Sequence, residues 1–146
     1  MDQNIQTFID GKRMALVGAS RKGGKMGNTV LQELTERGYT ISLVHPEAES
    51  IDGVKCHPNL QALAGQVDGV IVNVPPQQSL QVLKDASEAG IKNVWLQMGA
   101  TSSEVEQLGQ ELGLNVTASK CILMYAGEVT SIHKVHRWIW KLIGQY

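Results

Sequence analysis

The chain has 146 residues, 42% hydrophobic and 18% charged, and its 13 Lys and Arg against 14 Asp and Glu give a net charge of −1. That length suits one domain spanning 1–146, and the apolar fraction excludes a disordered chain. The charge balance removes the basic excess that holds a protein on nucleic acid by counterion release, so no nucleic-acid partner is expected and anion binding must rest on local clusters.

In chain order, MDQNIQTFIDGKRM opens without the basic region and apolar core of an export signal, and no run approaches a membrane span. MALVG (14–18) predicts the first strand and leads into GASRKGGKMGN (18–28). Val30, Leu31 and Leu34 then recur at helical spacing, and Gly38 closes that helix. TISLV (40–44) predicts the second strand. Residues 45–68 hold two of the four prolines and break the pattern, with only a short helical stretch near Asn59 to Leu63. GVIVNV (69–74) predicts a third strand, and the following PQQSLQVLKDASEAG predicts a helix through Leu80 and Leu83, stopped by Gly90. NVWLQ (93–97) is next, followed by a helix capped by Ser102 or Ser103, with Glu104 and Glu106 where its dipole favours acids. NVTAS (115–119) is the last strand. Apolar runs without strict alternation are what parallel strands covered on both faces show. The predicted fold is therefore α/β, a doubly wound, Rossmann-like sheet of about five parallel strands flanked by helices. In residues 127–146, Ile132, Val135, Ile139, Leu142 and Ile143 share one face. They predict a terminal amphipathic helix over about 128–144, with Trp138 and Trp140 on neighbouring faces.

The turn after the first strand is where an open α/β sheet places its first ligand. Glycines there let a backbone approach an anion, and a helix start offers unpaired N–H groups. Arg21, Lys22 and Lys25 add three cations within five residues, which suits a ligand with more phosphate than a single pyrophosphate. A solvated basic loop is the plainer alternative. The dinucleotide fingerprint is not clean, because Gly18 is followed by Ala19 and Ser20 and the next glycines are delayed to 23, 24 and 27. Strand two ends Val44-His45-Pro46, where NAD binding wants an acid.

Seven pieces in order, ALVGAS (15–20), KMGN (25–28), GYTISLVHP (38–46), IDGVKC (51–56), VNVPP (72–76), EAGIKNVWLQMGA (88–100) and SKCI (119–122), carry a more specific signal. Together they resemble the stand-alone CoA-binding domain proteins, which are similar to the amino-terminal domain of the succinyl-CoA synthetase α-subunit and of ADP-forming acyl-CoA synthetases. The chain departs from that pattern at His45, where the family commonly has Asn, and in its Trp-rich carboxyl end.

The resemblance implies a bound CoA or acyl-CoA. Gly18, Ala19 and Ser20, with Gly27 in the same glycine-rich turn, would receive phosphate oxygens, and Arg21, Lys22 and Lys25 would meet the diphosphate and the ribose 3′-phosphate. Val44, His45 and Pro46 would lie beside the adenosine. Pro75 and Pro76 would wall the adenine or pantetheine, although a plain strand-to-helix turn explains them equally. Gln97, Met98 and Gly99 would flank the pantetheine arm.

Cys121 follows the fifth strand, where a mixed disulfide with the CoA thiol competes with a packed, inert thiol. Cys56 beside His57 is expected to pack. The two cysteines form no metal-ligand spacing or disulfide framework, which fits a cytoplasmic setting. His133 and His136 would need further ligands to hold a metal, and none is expected. No nucleophile with a base and no paired carboxylates stand out. The phosphorylated histidine of the synthetases belongs to a second domain that this chain lacks, so ligase activity is not implied. The expected function is a non-catalytic module sensing or presenting CoA, with the terminal helix as a docking element for a second copy or a partner chain. An NAD(P)-binding oxidoreductase domain and a ligand-free interaction scaffold are the alternatives.

Overall fold

The computed structural model describes residues 3–118 and 120–126. Its first half comprises α1 (Gln3–Asp10), β1 (Arg13–Val17), α2 (Met26–Glu36), β2 (Thr40–Val44), β3 (Ser50–Ile51), β4 (Val54–His57) and a 3-10 turn at Leu60–Leu63. Then follow β5 (Gly69–Val72), α3 (Pro76–Glu88), β6 (Asn93–Leu96), α4 (Ser103–Glu111), β7 (Asn115–Ala118) and a 3-10 turn at Ile122–Met124. One sheet runs β3-β4-β2-β1-β5-β6-β7, and every neighbouring pair is parallel except β3 with β4. Without β3, this is the doubly wound order in which the chain reverses direction between its first and fourth parallel strands, here β1 and β5.

The five predicted strands are present with ends within two residues, but the sheet holds seven. The additional pair lies in the segment predicted to be a weak crossover. Asp52 and Gly53 both take positive φ, 51° and 80°, as a two-residue type I′ hairpin requires. That turn sets Ser50 opposite Lys55 and Ile51 opposite Val54, and β4 then extends the sheet beside β2. Helix α1 is a second addition, and it buries Ile5, Phe8 and Ile9, spaced as one helical face. The predicted terminal helix at 128–144, with His133, His136, Trp138 and Trp140, lies outside the described residues.

Strand side chains alternate between two cores. Met14, Leu16, Ile41, Leu43, Ile71 and Trp95 join α1, α2 and residues 121–126, whereas Ala15, Val70, Val72, Val94 and Leu96 join α3, α4 and the Leu60–Leu63 turn. This two-sided burial is why the strands read as continuous apolar runs. Phe8 sits over Gly69, where an added Cβ would come within 2.8 Å of the ring, and stacks at a tilt on Trp95 with centroids 5.3 Å apart. Trp95 is fully buried and donates its indole N–H to the Lys120 carbonyl at 2.8 Å. Arg37 donates to the carbonyls of Leu123 and Ala126 at 3.0 and 2.7 Å, which fastens the last described segment to the end of α2. Ser102 resolves the cap of α4, its hydroxyl accepting from the Val105 N–H at 3.2 Å.

Candidate functional site at the carboxyl edge of the sheet

The predicted site residues lie in or beside four loops on one edge, with Val44 ending β2, Gly27 inside the first turn of α2 and Pro76 opening α3. Residues 18–25 follow β1, His45 and Pro46 follow β2, Pro75 precedes α3, and Gln97 to Gly99 follow β6. The loops after β1 and β5 leave from the switch point, and there the backbone is tightly packed. Gly18 has φ +128°, and a Cβ on it would stand 2.3 Å from the Asn73 carbonyl oxygen. A Cβ on Gly27 would meet the Gly18 carbonyl oxygen at 2.4 Å. Gly27 therefore serves close packing of α2 on the turn, the part the last glycine plays in a dinucleotide fingerprint. The longer loop between these glycines explains the irregular spacing in sequence.

The turn is held by one buried side chain. Asn28, 6% exposed, accepts from the Ser20 N–H with Oδ1 and donates to the Ser20 carbonyl with Nδ2, both at 3.0 Å. Its Nδ2 also donates to Asp52 Oδ2 at 3.0 Å. The Ser20 hydroxyl oxygen accepts from the Lys22 N–H at 3.2 Å, and the Ser20 carbonyl accepts from Gly23 at 3.1 Å. The Ser20 N–H is thus taken, and its remaining donor is the hydroxyl proton. Among the described residues, the N–H groups of Gly18, Ala19, Met26 and Gly27 find no protein acceptor.

Helix α2 begins with Lys25 at the N-cap, no side-chain cap and no acid in its first turn. A cation is the wrong sign for that position, where the helix dipole favours negative charge. Helix α4, with its serine cap and two acids, shows the ordinary solution. Arg21, Lys22 and Lys25 are all exposed, and Arg21 makes a 3.3 Å ion pair with Glu47. An exposed pair of this kind is worth at most about 1 kcal/mol, so an arriving phosphate can take the guanidinium.

His45 uses Nδ1 to accept from the N–H groups of Glu47 and Ala48 at 3.1 and 3.0 Å, which leaves its proton on Nε2. Pro75 is exposed and Pro76 is the first residue of α3, so the strand-to-helix role is present whatever the ligand does. Gln97 to Ala100 form a tight turn closed by an Ala100 N–H to Gln97 carbonyl bond, with Gly99 at φ +89°. Met98 is 42% exposed at its tip. The Gln97 side chain points inward, accepting from the Ile122 N–H at 2.7 Å and donating to Cys121 Sγ at 3.6 Å. Both cysteines are buried, and burial pushes each thiol up, which keeps it protonated and unreactive. Two open grooves, about 410 Å³ between α2 and the β3–β4 turn and about 310 Å³ between α3 and α4, are not lined by the loop cations.

The strand order, and a turn pinned by Gly18 and Gly27 at its reversal point, place the chain among the Rossmann-like domains, which take ligands at this edge. More narrowly, it belongs to the CoA binding domain family, whose profile matches residues 12–126. It is 32% identical over 98 residues to ADP-forming acetate–CoA ligase II of Archaeoglobus fulgidus, a match covering 66% of this chain but only 15% of the ligase. It is 30% identical over 111 residues to the uncharacterised protein YneT of Bacillus subtilis, covering 76% of this chain and 82% of that one. A conserved hypothetical protein from Pyrococcus furiosus has a similar solved structure, with TM-score 0.73 and 38% identity over 76% of this chain and 96% of that one. No helix among the described residues is long and apolar enough to cross a membrane.

Proposed function

We propose that this chain binds coenzyme A, free or acylated, as a non-catalytic cytoplasmic module that senses the coenzyme or presents it to a partner. The observation that carries this is the start of α2: an uncapped helix end with a lysine at its cap, packed by Gly27 against a turn bearing two further cations. The free N–H groups of that turn and the cations together suit a ligand with three phosphates better than one with two. The N–H groups of Gly18 and Ala19 and the Ser20 hydroxyl would hold the diphosphate. Arg21, Lys22 and Lys25 would share it with the 3′-phosphate. Val44, His45 and Pro46 would border the adenosine, and Pro75, Pro76, Met98 and Gly99 the pantetheine, with Gln97 buried beneath them.

The strand order is shared with dinucleotide-binding domains, which makes NADPH the competing ligand. His45 stands against NAD, since it occupies the position where an acid would hold the ribose 2′-hydroxyl, whereas NADPH needs no acid there and is disfavoured by the CoA binding domain profile over residues 12–126. Thermal melting with CoA, dephospho-CoA, NADPH and NAD separates the two. A ligand at about 100 times its Kd adds about 2.7 kcal/mol, and CoA is expected to give the largest rise. A larger rise with NADPH, or an equal rise with CoA and dephospho-CoA, would contradict the assignment.

A further inference from the structure

We infer that Asn28 and Asp52 form a clasp that sets the shape of the phosphate turn, so that an acidic residue on the β3–β4 hairpin strengthens anion binding. The inference rests on the proposed CoA reading for its consequence, but the clasp itself stands on geometry. Three bonds of 3.0 Å converge on the Asn28 amide: two to the backbone of Ser20 and one to Asp52.

An asparagine amide satisfies a backbone N–H and C=O together only in one orientation, with oxygen toward the N–H and nitrogen toward the carbonyl. The second proton of Nδ2 then needs an acceptor, because Asn28 is buried and a lost partner there is costly. The Asp52 carboxylate is that acceptor, and as a charged one it makes the stronger kind of bond. Asp52 reaches it from the hairpin turn, where it holds φ 51°, a conformation uncommon for a residue with a side chain.

The consequence runs against simple charge counting. Asp52 stands one side chain away from the turn that carries Arg21 and Lys22, and Coulomb's law alone says that its removal should tighten anion binding. If the clasp decides the shape, removal loosens the Ser20 turn, the Gly18 and Ala19 N–H groups lose their fixed placement, and binding weakens. Asp52 and Asn28 are positioning residues in this account, since neither needs to touch the ligand.

Asp52→Gly tests the sign, because glycine keeps the positive φ of the turn and removes only the carboxylate. Titration calorimetry is expected to show CoA binding about five- to tenfold weaker, within the net worth of one ordinary hydrogen bond, since the loss reaches the ligand only through the turn. Asp52→Asn keeps an acceptor and tolerates the same φ, so it should rescue affinity to within about twofold of the parent chain. Both variants should keep the parent ratio of CoA to dephospho-CoA affinity, because the clasp shapes the turn without reading the 3′-phosphate. Asp52→Gly binding CoA as tightly as the parent, or more tightly, would overturn the inference. Amide exchange without ligand supplies the independent readout, with the Ser20 N–H exchanging faster in Asn28→Ala and in Asp52→Gly. Unchanged Ser20 exchange in both refutes the clasp, whereas failure of the parent chain to bind CoA refutes the proposed function instead.

Discussion

Replacing Gly27 by Ala tests whether the turn and α2 form one rigid unit. The new Cβ would lie 2.4 Å from the Gly18 carbonyl oxygen, 2.7 Å from its carbon and 2.9 Å from the Ala19 nitrogen. All three atoms are backbone, so no side chain can swing aside. Cβ contacts shorter than 3.0 Å are essentially never seen, and relief requires α2 and the turn to part by at least about 0.6 Å, an overpacking that costs about 1–3 kcal/mol. For a domain of this size, each kcal/mol lowers Tm by about 2–4 °C, so the expected fall is about 2–12 °C. The same movement displaces the Gly18 and Ala19 N–H groups from the first turn of α2, and CoA affinity should drop about tenfold, equivalent to about 1.4 kcal/mol. Scanning fluorimetry and calorimetry read the two effects. Gly23→Ala is the control, since Gly23 has φ +74° with nothing near its Cβ, so it should lose stability through backbone strain alone. A Gly27→Ala protein that melts within about 1 °C of the parent and binds CoA unchanged would refute the packing argument.

The double variant Arg21→Ala, Lys22→Ala should weaken CoA more than dephospho-CoA and flatten the salt dependence of binding. Equal losses for both ligands would reduce these side chains to generic phosphate contacts. Gln97→Leu leaves the Ile122 N–H buried without its acceptor, and urea denaturation should show about 1–3 kcal/mol less stability with CoA affinity nearly unchanged. A large loss of affinity at full stability would instead place Gln97 against the ligand. Burial raises the pKa of Cys121, Cys56 and Tyr39. The unfolded chain releases these protons first, from about pH 8.5 for the thiols and 10 for the phenol, so the stabilisation is complete below that range and lost as pH rises through it. Urea midpoints at pH 7, 9 and 10.5 should therefore decline, and a rising series would contradict the assignment.

The central strands were legible because β1, β5 and β6 are covered on both faces, and a strand buried twice has no room for polar alternation. The β3–β4 hairpin was harder to see, since its strands span only two and four residues and only the Asp52-Gly53 pair signals it. Helix α1 was readable in principle from Ile5, Phe8 and Ile9, but what it covers depends on Gly69 and Trp95, far along the chain. The turn of the candidate site was visible as glycines and cations after a strand. The role of Gln97 was not, because sequence places it at the edge without showing that its amide turns inward to residues 121 and 122. The Asn28 clasp was equally hidden, since a side chain bonding to a backbone eight residues away leaves no periodic trace.

A crystal structure of the chain grown with CoA would locate the coenzyme on the sheet edge. The diphosphate is expected at the amino end of α2, within hydrogen-bonding distance of the Gly18 to Ser20 turn, and the 3′-phosphate among Arg21, Lys22 and Lys25. Coenzyme bound elsewhere, with that turn empty, would contradict that placement.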